Sequence, residues 1–313
     1  MRVEGSARAI CLQPAITGIP SSNKSMQILI YGTINSVALA LFALGFALVY
    51  GVSRLPNFAH GALYVLSGFI TWTFVHSLRL NYLFSIILAM VSTGIIGALI
   101  YQFILIRIRG MEISEIMASY AMGLAILEGL RWGGFKGMTY TLPAFIGGST
   151  EIAGVSVDYQ RLLVVAIGAA VVAILWLFTH YTKVGLALRG MAQDERAAMM
   201  LGIDSDLMAL AAMGFGSMLA ALAAILLLPL GNIVVEAGYN VLILAIAVCI
   251  VGGLGSWMGA VLAAFIIGFA QILTVVYLGA HYQMVVALLA IIITLILKPS
   301  GLFGRQKELE ERV

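Results

Sequence analysis

HYTKVGLALRGMAQDERAAMMLGIDSD, residues 180–206, is the longest internal stretch of this chain that cannot lie in a lipid bilayer. It carries Lys183, Arg189, Asp194, Glu195, Arg196, Asp204 and Asp206, and each charge at a membrane centre costs about 2.5–3.5 kcal/mol on insertion scales. The stretch must therefore be in water, while both of its flanks are apolar runs long enough to span a membrane. It fixes the sidedness of the chain and is the place where a soluble partner could grip it.

Composition agrees with that division. Of 313 residues 62% are hydrophobic and 10% charged, against roughly 25% charged in soluble domains. The net charge of +3 comes from basic residues scattered singly between apolar runs, which marks topology and not a nucleic-acid surface. Cys11 and Cys249 are the only cysteines, so no disulfide frame or CxxC metal site is on offer.

Outward from the central stretch, the chain divides into a tail, a membrane domain and a second tail. Residues 1–25 hold Pro14 and Pro20 and no apolar run suited to a signal peptide, and are expected to form a flexible extension or a segment ahead of the true translation start at Met26. Residues 26–305 are expected to form the membrane domain, and 306–313 a charged cytoplasmic tail. The expected class is an all-α polytopic membrane protein of eight or nine transmembrane helices. The runs are Met26–Tyr50, Asn57–Leu78, Tyr82–Ile106, Ile113–Arg131, Arg161–Thr179, Leu207–Leu230, Tyr239–Leu254, Trp257–Leu278 and Tyr282–Leu297. Asn57–Leu78 opens on polar Asn57 and His60, and Tyr239–Leu254 is short and glycine-ended; either suits a broken or re-entrant segment.

Placing residues 180–206 in the cytoplasm and alternating outward puts Arg54, Arg107, Arg109, Lys183, Arg189, Arg196, Lys298, Arg305, Lys307 and Arg312 inside, ten of the seventeen basic residues. Arg79, Arg131, Lys136 and Arg161 fall outside, so the bias has the sign of the positive-inside rule. With nine spans the N-terminus is extracytoplasmic and the C-terminus cytoplasmic. Residues 133–160 form the only sizeable extracytoplasmic loop.

Several chemistries lack their residues. There is no GxxxxGK[ST] loop to cradle phosphates, no HExxH and no GxSxG, and the four histidines stand apart, so the chain is read as no enzyme, with no catalytic or metal site and no cofactor of its own. A proton-driven transporter needs acids or histidines deep in its spans. Glu128 is the best candidate, but Arg131 at i+3 makes an interfacial ion pair the stronger reading. Asn35, Gln102 and Gln271 are intramembrane polar residues that interhelical hydrogen bonding explains as well as substrate contact does.

Two stretches invite a functional reading. In Arg54-Leu-Pro-Asn-Phe-Ala-His-Gly61, Pro56 breaks the helix, Asn57 can cap a new one and His60 and Gly61 fall in its first turn, where amide N–H groups suit a carboxylate; an ordinary tight turn is the competing reading. In the opening stretch, Met191–Leu201 is expected to form one short helix with Gly202 at its C′ position and Asp204 or Ser205 capping the next span. Such a helix suits the groove of a soluble partner, or else it touches only headgroups.

At these residues the chain resembles the inner-membrane permease subunits of ATP-binding-cassette importers for branched-chain amino acids, the LivH type. The resemblance rests on ALGFALVYGVSRLPNFAHGALYVLSGFI (43–70), TKVGLALRGMAQDERAAMMLGIDSD (182–206), VGGLGSWMGAVLAAFIIG (251–268) and KPSGLFGR (298–305). It implies a non-enzymatic subunit that pairs with a second similar permease, binds two cytoplasmic ATPase subunits that use the ATP, and receives substrate from an extracytoplasmic binding protein, all in a bacterial inner membrane. It also implies that Gly185, Arg189, Ala192, Glu195, Ala198, Gly202 and Ile203 contact or scaffold the ATPase. Asn57, Phe58, His60 and Gly61, with Gly252, Gly253 and Gly255, are the corresponding translocation-path candidates. The family usually has an acid after the NFAHG glycine where this chain has Ala62. Import of urea or short amides is the nearest alternative, and a self-sufficient secondary transporter or channel the alternative of another class.

Overall fold

The computed structural model describes residues 24–54, 56–135 and 140–304; the N-terminal extension up to residue 23, Lys136 and the charged tail 306–313 lie outside them. In chain order the helices are α1 (Lys24–Ser53), α2 (His60–His76), α3 (Tyr82–Phe103), α4 (Glu112–Gly129), α5 (Tyr159–Tyr181), α6 (Lys183–Gln193), α7 (Glu195–Met200), α8 (Ser205–Leu227), α9 (Glu236–Gly252), α10 (Trp257–Tyr277) and α11 (Gln283–Leu297). Each of the nine apolar runs becomes a helix, as it must where no water can satisfy backbone groups. Among the described residues seven helical stretches are long and apolar enough to cross a membrane. The two that fall short, α2 and α9, have seventeen residues each and are the two whose sequence suits a break, while α11 reaches eighteen with the 3-10 turn that leads into it from Ala280. Lys24 and Ser25, grouped above with the tail, already belong to α1.

α1 is the axis of the bundle. It is buried around nearly its whole circumference and packs on α10, α8, α9 and α5. Burial inside a lipid-embedded bundle gains little from the hydrophobic effect, so contact depends on close backbone approach through small residues. Gly45 and Gly216 show it: a Cβ on Gly45 would lie 2.6 Å from the Gly216 carbonyl oxygen, and one on Gly216 would lie 2.8 Å from that of Gly45. By contrast α3, α5 and α11 turn rows of Leu, Ile and Val outward, as lipid-facing helices do.

Helix α2 does not start at an end of the bundle. Residues 56–59 lie inside the bundle, so that Phe58 donates its backbone N–H to Ser119 Oγ at 3.3 Å and packs edge-on against Tyr120, midway along α4. His60 packs on Phe46 and approaches Gly45, two turns inside the C-terminal end of α1. Arg54, the last described residue before this segment, stands at φ 55°, a left-handed conformation that costs a non-glycine residue about 1–2 kcal/mol. The Asn57–Leu78 run is thus a re-entrant, non-helical lead-in followed by a helix running from the middle of the bundle to one end.

At that end a hairpin of β1 (Ser149–Ile152) and β2 (Val155–Asp158) lies over the start of α1, where the Tyr31 hydroxyl donates to the Ser156 carbonyl at 2.8 Å. Glu128 and Arg131 form the expected i, i+3 pair at 3.3 Å, and Arg131 also reaches Glu236 at 3.1 Å. The opposite end carries α6 and α7.

Candidate functional site

The wet segment is built from three successive helix starts, each with its own cap. The Thr182 hydroxyl accepts from Gly185 N–H at 2.9 Å, Asp194 from Ala197 N–H at 3.0 Å, and Asp204 from the N–H groups of Asp206 and Leu207 at 2.9 and 3.1 Å. The single helix expected over Met191–Leu201 is therefore corrected to two: Asp194, at φ −155° and ψ 105°, leaves helical geometry to cap α7. Gly202 does hold the C′ position, at φ +84°. Ile203 N–H bonds the Ala198 carbonyl and Gly202 N–H the Met199 carbonyl, a Schellman closure with Ile203 packed towards Ala198.

The seven coupling candidates consequently divide into two kinds. Ala198, Gly202 and Ile203 are scaffold: Ala198 is buried with Val52, Leu188, Met191 and Ala212. Gly185 is scaffold too, because a Cβ there would run into the Phe178 carbonyl. Arg189, Ala192 and Glu195 line an open groove of about 1050 Å³ with Arg54, Trp257 and Phe303. At the end of α7 Met200 is 87% exposed and Leu201 83%, an apolar tip.

Arg109, between α3 and α4, fastens this element to the bundle. It donates to Glu195 at 2.8 Å, to Ser205 Oγ at 3.1 Å and to Asp206. Burial works against its charge, but Tyr101, Asp206 and Glu195 more than offset that, and its pKa stands above the ordinary arginine value.

In the middle of the bundle the NFAHG motif is tightly closed. Asn57 Oδ1 accepts from Ala59 N–H at 3.0 Å, so Asn57 caps the turn ahead of α2, and α2 itself has no side-chain cap. His60 Nε2 lies 3.0 Å from the Phe42 carbonyl; since that oxygen can only accept, Nε2 carries the proton and Nδ1 is left as an acceptor. Among the described residues His60 Nδ1 and Asn57 Nδ2 are buried without partners, each at a cost of about 1–3 kcal/mol. A Cβ on Gly61 would overlap the Gly238 carbonyl, and the gap beside Phe58 and Gly238 is about 10 Å³, at the lower limit for a single water. Ala62 is buried, so the departure from an acid at that position avoids an unpaired carboxylate.

Gly252, Gly253 and Gly255 do not join that motif. They form the turn from α9 to α10 at the α6–α7 end, with Gly253 at φ +100° and Gly255 at φ +84°. The N–H groups of Leu302 and Phe303 cap the carbonyls of Val251 and Gly252, satisfying orphan acceptors of α9. That contact is the physical link between the VGGLG and KPSGLFG segments.

A cavity of about 230 Å³ opens towards the hairpin end between α1, α2, α9 and α10. Phe42 and Tyr64, in edge contact with centroids 5.5 Å apart, both line it, and His60 bonds the Phe42 backbone. Asn35 and Gln271 lie in its wall and are hydrogen-bonded to each other at 3.0 Å, as interhelical partners should be; Gln102, in contrast, is exposed on α3. The residue that sequence reasoning passed over is Arg161, treated there as a topology charge. It lines the cavity and is 5% exposed.

Residues 28–295 match the family model described as "Branched-chain amino acid transport system / permease component". Relatives include the high-affinity branched-chain amino acid transport system permease protein BraD of Pseudomonas aeruginosa, 28% identical over 92% of this chain and 98% of BraD. LivH of Salmonella typhimurium is 28% identical over 85% of this chain and 91% of its own. A probable LivH of Methanocaldococcus jannaschii is 28% identical over 87% of this chain and 90% of its own. Among solved structures, PsaBC from Streptococcus pneumoniae in complex with Fab aligns with a TM-score of 0.50 over 92% of this chain and 97% of that one, at 13% identity; this likeness concerns the fold alone.

Proposed function

The chain belongs to the branched-chain amino acid transport system permease family, and on that premise we propose that it is the membrane-spanning subunit of an importer that carries branched-chain L-amino acids inward, driven by separate ATPases. The observation that carries the reading is the α6–α7 element: two short side-chain-capped helices with an open groove and an exposed Met200–Leu201 tip. A self-sufficient transporter has no use for such a projection, whereas a subunit moved by a soluble motor needs one. In this reading α6 and α7 face the cytoplasm and bind one ATPase, a second similar permease presents the other, and the hairpin end receives an extracytoplasmic binding protein. The chain does no chemistry itself, in keeping with its missing phosphate-binding loop.

The test is reconstitution of the chain with its genomic neighbours in proteoliposomes. ATP-dependent leucine uptake that requires the binding protein is the expected result. Uptake without ATPase subunits would replace the reading with a secondary transporter, and uptake of urea or short amides in place of leucine would replace the substrate.

A further inference from the structure

We propose that the cavity at the hairpin end is a transit site for the substrate's α-amino-acid group, with Arg161 binding the carboxylate; this rests on the importer reading above. Arg161 sits in the first turn of α5, and its guanidinium is immobilised on two sides. Nε pairs with Asp158 at 3.1 Å, and the plane lies over the Tyr31 ring at 5.2 Å. Among the described residues Nη1 is buried and has no partner. An arginine oriented by an acid and an aromatic face, lining the cavity and carrying a donor without a partner, is arranged for a planar anion and not for a water shell.

The rest of the cavity fits the same ligand class. Asn35 Nδ2 donates both to the Gly268 carbonyl at 3.2 Å and to Gln271 Oε1 at 3.0 Å, and Gln271 Nε2 donates to the Gln283 carbonyl at 3.2 Å. With the donors of Asn35 spent inside the protein, the oxygen of Asn35 is what remains for a ligand, and an oxygen suits an ammonium. Leu39, Phe42, Val241, Leu244 and Met284 supply an apolar wall. A volume of about 230 Å³ is below the usual range for drug-sized ligands and suits a single amino acid. The Phe42–Tyr64 contact borders the cavity on the side of the closed NFAHG layer, so a bound molecule would wait there for the bundle to rearrange.

The experiment uses the assembled importer, with Cys11→Ser and Asn240→Cys in this chain, since Asn240 lines the cavity. Modification by a small membrane-impermeant thiol reagent is timed without ligand, with saturating leucine, and with saturating leucinamide, which lacks the carboxylate. Leucine is expected to slow modification at least threefold and leucinamide not to. Adding Arg161→Gln should abolish the protection, whereas Arg161→Lys should keep part of it because the charge remains. No protection by leucine, equal protection by leucinamide, or undiminished protection in the Arg161→Gln assembly would each overturn the site. Leucine uptake by the unsubstituted assembly is measured alongside: its absence refutes the importer reading itself, while uptake without carboxylate-dependent protection refutes only Arg161.

Discussion

The Arg109 guanidinium donates to the Glu195 carboxylate across 2.8 Å, joining the α3–α4 connection to the first residue of α7. Glu195 is therefore not a free rim charge awaiting a partner. The same arginine reaches Asp206 in the first turn of α8, so one side chain joins α7, the start of α8 and the α3–α4 connection. Both partners of the 2.8 Å pair are partly exposed, at 26% and 30%, and such pairs contribute about 0–1 kcal/mol to folding. The contact matters for where α7 points more than for whether the protein folds.

Arg109→Ala and Glu195→Gln are accordingly expected to insert and fold normally while each weakens coupling. Substrate-stimulated ATP hydrolysis by the assembled importer should fall several-fold in both, and the double variant should be no worse than Arg109→Ala alone, because the second change removes an interaction already lost. Effects that multiply in the double variant would show that the two residues act independently.

Packing at the bundle centre gives a contrast between two glycines on neighbouring helices. Gly45→Ala drives a Cβ to 2.6 Å from the Gly216 carbonyl oxygen, whereas Gly214→Ala places one at 3.7 Å from the nearest atom. Overpacking against backbone costs about 1–3 kcal/mol, while alanine in open helical space gains up to about 1 kcal/mol over glycine. Thermal unfolding in detergent should show the first variant less stable and the second unchanged or more stable. A Gly45→Ala protein as stable as the parent would mean that α1 and α8 do not touch there.

Much of this architecture was legible because lipid imposes hydrophobic length: nine runs became nine helices, and Asp204, Gly202 and the Glu128–Arg131 pair took their expected roles. What escaped were features set by tertiary depth. Nothing in the order of residues 57–78 says that Phe58 will lie beside Ser119 in mid-bundle, because that follows from Gly61 meeting Gly238. Asp194 was placed inside a helix because its neighbours are helix formers, yet its side chain competes for backbone N–H groups and wins as a cap. Arg161 stands where topology charges usually stand, and only its contacts with Tyr31 and Asp158 separate it from them.

Sidedness can be read from two exposed positions at opposite ends. In a Cys11→Ser background, Met200→Cys at the α7 tip and Glu151→Cys in the hairpin are both accessible, unlike Gly301, which is buried against Gly253 at φ +73°. In intact cells an impermeant maleimide should label only the hairpin position, and in inverted vesicles only the α7 position. Labelling of the Met200→Cys protein from outside would reverse the orientation and remove the motor from its proposed face.

The sharpest test of coupling lies in α7, which is too short to survive a lost bond by itself. Ala198 N–H bonds the Asp194 carbonyl at 3.0 Å, and the Ala198 carbonyl accepts from Ile203 at 3.2 Å; the residue thus belongs to both the first hydrogen bond and the terminal closure. Ala198→Pro deletes that N–H and crowds the preceding turn, at about 3 kcal/mol or more. The adjoining spans should still insert, since their own hydrophobicity drives insertion. A milder series at Gly202 probes the same element through the backbone alone, because no atom lies within 4 Å of a Cβ there: Gly202→Asn tolerates the left-handed conformation and Gly202→Val does not. Near-normal amounts in the membrane with uptake retained for Gly202→Asn, reduced for Gly202→Val and lost for Ala198→Pro is the pattern expected of a rigid transmitting element. An Ala198→Pro chain that transports at the parental rate would reduce residues 180–206 to a connector.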